Sequence, residues 1–281
     1  MRYGRATRAV GGALAGALLW TGCAGPAGDG AGKPGGEALR PAAASTGTGT
    51  EAGTGTEAGT GASPTPSGLG FDPDPERLPR TAAQARELAE AVVAGPDLWG
   101  PGYVRRSPHL SPPGSWPVLD ERCVWQGGTL PDTVLASVTA YSELPAAAGR
   151  GPLRVAATVT VHRDVRAADW EMAGTLEEAL RCPDQKLRDG ERVSGLSSIG
   201  TAFGSGTNLT AEDSLGEIGK YTTGEFPGTH TYGWFQSRMG QVTMAAVTKG
   251  AEGHRDPDVH KARAQALTGM LSRVEKRLEA R

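Results

Sequence analysis

The chain has 281 residues, with 29 Lys and Arg against 31 Asp and Glu, for a net charge of −2. This balance provides no basic field to meet a phosphate backbone, so we expect no nucleic-acid partner. Past residue 70 about 210 residues remain, which is enough for one sizeable domain, or at most two small ones, with a core that needs no metal.

The first 22 residues have the pattern of an export signal. Arg2, Arg5 and Arg8 form a basic start, and residues 9–20 form an apolar run. A run of roughly a dozen residues is too short to span a bilayer, which takes about 20. The pattern therefore predicts a signal peptide over residues 1–22 and not a membrane-spanning helix.

The end of this signal predicts lipidation of Cys23. Thr21, Gly22 and Cys23 resemble the bacterial lipobox, with Trp20 in the position that usually holds an aliphatic residue. A diacylglyceryl group on Cys23, with further acylation of the palmitate type, predicts a lipoprotein held at the outer face of the cell membrane. The alternative is ordinary secretory cleavage nearby, with Cys23 an incidental thiol.

Residues 23–70 are almost entirely Gly, Ala, Thr, Ser and Pro, with a direct repeat at 48–53 and 54–59. Too little apolar surface is available there to offset chain entropy. We expect a disordered tether between the anchor and a folded domain over residues 81–281.

If Cys23 carries the lipid, Cys123 and Cys182 remain. An exported protein meets an oxidising compartment, so we expect these two cysteines to form a disulfide bond. The alternative is a pair of buried free thiols.

The folded domain begins with a helix predicted by a capping box at Thr81 and Gln84. Residues 96–117 then read as a long irregular stretch containing Trp99, Tyr103 and Trp116. These aromatic side chains are candidates for lining a ligand groove. The alternative is that they only pin the loop to the core.

The central part predicts sheet, then helix, then sheet. Apolar residues alternate over 134–140 and 155–161, which predicts an antiparallel hairpin. Asp164 is placed to cap a following helix that ends at Cys182-Pro183. Residues 192–206 and 217–223 have strand-like runs with less regular patterns.

Two clearer strands follow at 229–239 and 241–248, joined at Gly240. Asp256 as the cap and Pro257 at the first position then predict a long C-terminal amphipathic helix. This order of elements predicts an α+β fold, with an antiparallel β-sheet covered by amphipathic helices.

The strand pair, the helix ending at Cys182-Pro183, the turn at 238–242 and the C-terminal helix resemble the extracellular PknH-like sensor domain. That domain occurs on mycobacterial receptor Ser/Thr kinases and in stand-alone actinobacterial lipoproteins. The resemblance implies a sensor domain with a ligand cleft. The family typically carries two disulfides around the cleft, whereas only one pair is available here. Arg238 is a further ligand-binding candidate, as a possible anion contact.

No catalytic residue, metal site or cofactor is predicted. The histidines are scattered, and we expect all five, His162 among them, at the surface. Ser198 lies among glycines without a G-x-S-x-G elbow. Glu171, Glu177 and Glu178 fall on a helix with an apolar side, so we expect a solvated face.

These patterns favour an extracytoplasmic lipoprotein whose outer domain binds or senses a small ligand or cell-wall component without catalysing a reaction. The alternative is a cell-wall hydrolase or transferase with dispersed active-site residues. A third interpretation is a partner-docking subunit with an exposed apolar patch at Trp234. The patterns do not predict an oligomeric state.

Overall fold

The computed structural model describes residues 69–279. The predicted signal peptide, Cys23 and nearly all of the predicted tether lie outside the described residues. The helices within this range are α1 (Ala82–Val92), α2 (Pro96–Trp99), α3 (Val165–Arg181) and α4 (Asp256–Leu278). The strands are β1 (Val104–Leu110), β2 (Ser115–Leu119), β3 (Trp125–Thr129), β4 (Val134–Leu144), β5 (Leu153–His162), β6 (Gln185–Arg188), β7 (Glu191–Ala202), β8 (Asp213–Thr223), β9 (His230–Met239) and β10 (Val242–Lys249).

Eight strands form one sheet in the order β1-β4-β5-β10-β9-β8-β7-β6, and β2 pairs with β3 in a separate hairpin. Every neighbouring pair in the large sheet is antiparallel. The predicted β4–β5 and β9–β10 hairpins are confirmed, as is the α+β class with an antiparallel sheet. Gly240 opens the β9–β10 turn with a φ of 55°, which glycine adopts without steric cost.

The expectation that residues 96–117 are irregular is wrong. They contain α2, β1 and the start of β2. Because β1 lies at the sheet edge and bonds only to β4, Pro108 interrupts no second ladder. Pro108 within it and the prolines around it hid this strand from a pattern-based prediction.

One face of the sheet, which we call the first face, carries the main apolar core. Val155, Val159 and Met244 are fully or almost fully buried there under α1 and α4. The capping box predicted for α1 is present, because Thr81 Oγ1 accepts from the Gln84 amide and the Gln84 side chain accepts from the Thr81 amide. Leu69, Phe71 and Leu78 also pack against this core, so the folded part begins upstream of Thr81.

Helix α4 begins one residue earlier than predicted. Arg255 is its N-cap, and Asp256 is the first helical residue. The Asp256 carboxylate instead accepts a hydrogen bond from Thr231 Oγ1 at 2.7 Å, which ties the helix start to β9. Among the described helices, none is long and apolar enough to cross a membrane.

The opposite, second face of the sheet is crossed by α3, which contacts β5 and β7 to β10. Asp164 caps α3 by accepting from the Ala167 amide at 2.8 Å, as predicted. The predicted disulfide is confirmed, and it joins Cys182 at the end of α3 to Cys123 in the loop before β3. The disulfide thus ties the C-terminal end of the helix to the loop before β3.

Candidate functional site

A row of polar side chains crosses the second face where β7, β8 and β9 lie side by side. Ser198 pairs with Glu217, and Glu217 pairs with Trp234. Directly paired residues in an antiparallel sheet have Cβ atoms about 5 Å apart, so these three side chains are immediate neighbours. Gln236 is the next residue of β9 on the same face. With Glu178 from α3 above them, we call these five residues the seam site.

The second face holds most of the buried polar atoms that have no partner. Within residues 69–279, nine residues carry buried side-chain nitrogen or oxygen atoms without a hydrogen bond, and seven lie on this face. Those seven are Arg154, His162, Ser198, Glu217, Tyr221, Trp234 and Gln236. Buried polar atoms are normally satisfied, because leaving one unpaired costs about 1–3 kcal/mol. The second face therefore carries hydrogen-bonding capacity that the described part of the protein does not use.

Glu178 and Glu217 form a carboxyl pair in the seam site. Burial raises the pKa of Glu217 to about 7, and the charge of Glu178 adds to the rise. The Ser198 hydroxyl lowers the pKa of Glu217 slightly, although its position does not meet the geometric requirements of a hydrogen bond. Burial likewise raises the pKa of Glu178 to about 7, against the opposing charge of Arg181. Both carboxyls therefore change their charge near neutral pH.

The expected solvated face for Glu171 and Glu178 is wrong. Both are partly buried against the sheet, while Trp170 and Leu180 are 67% and 73% exposed. The buried stripe of α3 runs through Ala168, Met172 and Ala179, and helical spacing brings the two glutamates to the same side. Glu177 is exposed, as expected.

His162 is buried, which contradicts the expectation of a surface position. Its Nε2 lies 2.6 Å from Glu171 Oε2, and Thr243 Oγ1 also donates to that carboxylate oxygen. His162 is the last residue of β5, so this contact anchors the first half of α3 to the sheet. It positions the helix that carries Glu178.

Arg238 forms ion pairs with three carboxylates of the protein itself. Its guanidinium bonds Asp169 at 2.7 Å and Asp213 at 2.7 Å, and it also pairs with Glu212. All three of its nitrogens are engaged, and the residue is buried. Arg238 therefore joins α3 to β8, and its predicted contact with an anionic ligand stays a prediction.

The far end of the second face is basic. Lys249 Nζ donates to the buried Glu191 at 2.5 Å, and Arg188 pairs with the same carboxylate. Burial opposes ionisation of Glu191, but these two bonds hold its pKa below the ordinary value. Arg154 Nη2 lies 2.5 Å from Glu225, while Arg154 Nη1 stands 4.0 Å from Glu191, too far for a hydrogen bond. The second face thus changes from acidic at α3 to basic at this end.

The three aromatic candidates are not in the seam site. Trp99 is 1% exposed in the first-face core, and its ring centroid lies 6.2 Å from that of Tyr103, which packs against the same core. Trp116 is half-buried on the separate β2–β3 hairpin. Trp99 and Tyr103 hold their segment against the core, in line with the alternative weighed for them. Their role in ligand binding stays a prediction.

Two open depressions lie apart from the seam site. One, of about 230 Å³, lies between residues 76–88 and the end of α4. The other, of about 310 Å³, is lined by Leu78, Pro79, Arg80, Leu135, Arg163 and Gln241. Their polar groups are those of surface loops and helix ends, without the unpaired buried atoms found on the second face.

Two carboxyls, a carboxamide, a hydroxyl and an indole can accept and donate hydrogen bonds, and the carboxyls can take up or release protons. Across residues 69–279 no three His, Cys, Asp or Glu side chains converge as a metal site. Of the seam site, sequence reasoning weighed only Ser198, Glu178 and Trp234, each for another role. Glu217 and Gln236 were missed. A scan against protein-family models and a search of curated proteins found no match to the chain.

Proposed function

We propose that this chain is an extracytoplasmic lipoprotein, anchored through Cys23, whose folded domain binds a small polar ligand on the second face. The ligand is a small molecule or a cell-wall component. The carrying observation is the set of seven residues with unpaired buried polar atoms on that face, four of them in the seam site. A ligand that supplies their partners gains hydrogen bonds that the protein alone leaves unmade.

The proposed location is supported by the signal pattern before Cys23 and by the disulfide between Cys123 and Cys182, since such bonds persist in oxidising compartments. The PknH-like sensor assignment is part of the same proposal. An antiparallel sheet with helices on both faces and a disulfide beside α3 supports it.

Lipidation is tested in cells with radiolabelled palmitate and detergent-phase partition. The wild-type chain is expected to take up label and enter the detergent phase. A Cys23→Ser variant is expected to lose both properties. Label retained by the variant, or none on the wild type, contradicts the anchor.

Binding is tested by calorimetric titration of the protein with soluble cell-wall fragments. Trp234→Phe removes the unpaired Nε1–H and keeps an aromatic ring, so it is expected to weaken binding about tenfold, the value of one hydrogen bond. Trp125→Phe, at an indole that already donates to Gln185 within the protein, is the matched control and is expected to leave affinity unchanged. No saturable binding, or an equal loss in both variants, contradicts the proposed site.

A second candidate function rests on Glu178 and Glu217. Two carboxyls with pKa values raised to about 7 resemble the acid and base of a cell-wall hydrolase or transferase. In that case the wild type releases products from purified cell wall, detected by mass spectrometry, and Glu217→Gln abolishes release. Absence of products with the wild type removes this candidate.

A further inference from the structure

The seam site combines two acidic groups with a shortage of positive charge. Glu217 has no bonded cation among the described residues, and the group that acts on it most strongly after burial is another carboxyl, Glu178. The groups acting on the pair are Glu171, Glu177 and Arg181 from α3, Ser198 from β7, and Tyr232 from β9. Arg181 is the one cation among them, and it acts on Glu178 from the exposed end of α3.

Among the unpaired atoms of the seam site, the Glu217 and Gln236 oxygens are acceptors, the Trp234 Nε1–H is a donor, and the Ser198 hydroxyl can act as either. Glu217 Oε1 and Gln236 Oε1 have no partner in residues 69–279, and their residues are only 6% and 2% exposed. A carboxylate oxygen and an amide oxygen both require a donor. Trp234 stands directly opposite Glu217 in the sheet and brings an aromatic ring to the same place. Acceptors, negative charge and an indole together favour a donor that carries positive charge.

A divalent metal ion fits this arrangement poorly. Calcium takes six to eight oxygen ligands at about 2.4 Å, with several carboxylates among them. Here two carboxyls are supplied, and within the described part of the chain no third acidic or imidazole group completes a metal cluster. A neutral hydroxyl ligand supplies donors but leaves the negative charge uncompensated. An ammonium group supplies up to three donors and the charge.

We propose that the seam site binds the ammonium group of an amine-bearing ligand, which donates to Glu217, Gln236 and Glu178 beside the Trp234 ring. This deepens the proposed function and rests on it. The ligand class becomes small molecules or cell-wall fragments with a free primary amine. Binding needs the Glu217 carboxylate ionised, so the ammonium competes with a proton for that group.

This competition gives the proposal a pH signature. Because both carboxyls have pKa values near 7, the pair is largely ionised at pH 8 and largely protonated at pH 6. Affinity for an ammonium group is therefore expected to fall about tenfold from pH 8 to pH 6, since the ionised fraction falls by about that factor. A neutral ligand has no such dependence on these two groups.

The test uses the full chain and two probes of equal size, ethanolammonium chloride and ethylene glycol, which differ by ammonium in place of hydroxyl. Binding is followed through the indole N–H resonance of Trp234 in NMR titrations at pH 6 and pH 8. Ethanolammonium is expected to bind more tightly than the diol, and about tenfold more tightly at pH 8 than at pH 6. Glu217→Gln is expected to lose most of this binding and its pH dependence, while Glu275→Gln, exposed on α4 over the first face, keeps both.

The other outcomes separate this proposal from the proposed function. Equal binding of the two probes, or tighter binding of calcium chloride than of ethanolammonium, overturns the ammonium site and leaves a polar ligand site. Failure of ethanolammonium to bind, with cell-wall fragments still bound through Trp234, also overturns the ammonium site alone. Failure of both probes and of the fragments overturns the proposed function too.

Discussion

The two faces of the large sheet are made by the same strands but hold different chemistry. On β5, Val155 and Val159 point to the first face and are buried under α1 and α4, while Thr158 and Thr160 point to the second. There Thr158 meets Thr139 at 2.9 Å and Thr160 meets Ser137 at 3.1 Å. Toward β7 to β9 the second face becomes acidic and its polar atoms lose their partners. The first face therefore carries the main core, while the second combines a smaller apolar cluster around Val193, Tyr221 and Tyr232 with buried polar groups that lack partners.

The largest expected effect comes from removing the link that holds α3 over the second face. A Cys123→Ala, Cys182→Ala double variant opens a loop of 59 residues. Its free energy of unfolding is expected to fall by about 4 kcal/mol, the loop-closure entropy of a cross-link of this length. Urea unfolding measures the change. A decrease in the free energy of unfolding of less than about 1 kcal/mol contradicts a structural role for the disulfide bond.

The first face is tested by truncating Met244, which is fully buried in its core. Met244→Ala is expected to cost about 2–5 kcal/mol through lost burial and a cavity. The matched control is Thr158→Ala on the neighbouring strand and the opposite face, expected to cost about 1 kcal/mol for one hydrogen bond. Urea unfolding measures both changes. Similar losses of unfolding free energy in the two variants contradict the view that the main core lies on the first face.

The carboxyl pair links the second face to pH. Because the folded state keeps Glu217 protonated to about pH 7, while the unfolded chain releases that proton near the ordinary pKa of 4.5, stability falls as pH rises between these values. Glu217→Gln removes this penalty. The variant is expected to gain up to about 3 kcal/mol over the wild type at pH 8, and almost nothing at pH 4. Thermal unfolding at both pH values measures this. A loss of stability at pH 8 contradicts a buried, penalised carboxyl.

The smallest expected effects compare the caps of two helices. Thr81→Ala on α1 and Asp164→Ala on α3 each remove one capping bond and are expected to cost about 1 kcal/mol. Only the Asp164 variant is expected to weaken binding of cell-wall fragments, because α3 carries Glu178. Unfolding and calorimetric titration of both variants check this. Equal effects on binding argue against a role for α3 in the site.

Local pattern was enough to predict much of the fold. The capping box of α1, the cap of α3, two hairpins and the disulfide all depend on neighbouring residues or on cysteine number, and all are present. Strand β1 was missed because its proline, Pro108, is tolerated only at a sheet edge, and edge position is not a local property.

The candidate site was harder to predict because it is made by strand register. Glu217 shares one side of β8 with the buried Leu215 and Tyr221, so an acidic residue on an apolar side of a strand was the available signal. Its meaning depended on Ser198 and Trp234 being paired with it, which only the sheet reveals. On α3, Trp170 and Leu180 are large and apolar, so the sequence pattern placed them on the buried side of the helix. In the structure both are exposed.

The most direct test of a binding second face is the set of tryptophan indole resonances during titration of the full chain with soluble cell-wall fragments. The Trp234 indole N–H, which has no partner within residues 69–279, is expected to shift strongly and saturably. The Trp125 indole, which donates to Gln185 at 2.8 Å, is expected to stay in place. A Trp234 resonance that stays fixed while the fragments bind and shift other resonances contradicts the account.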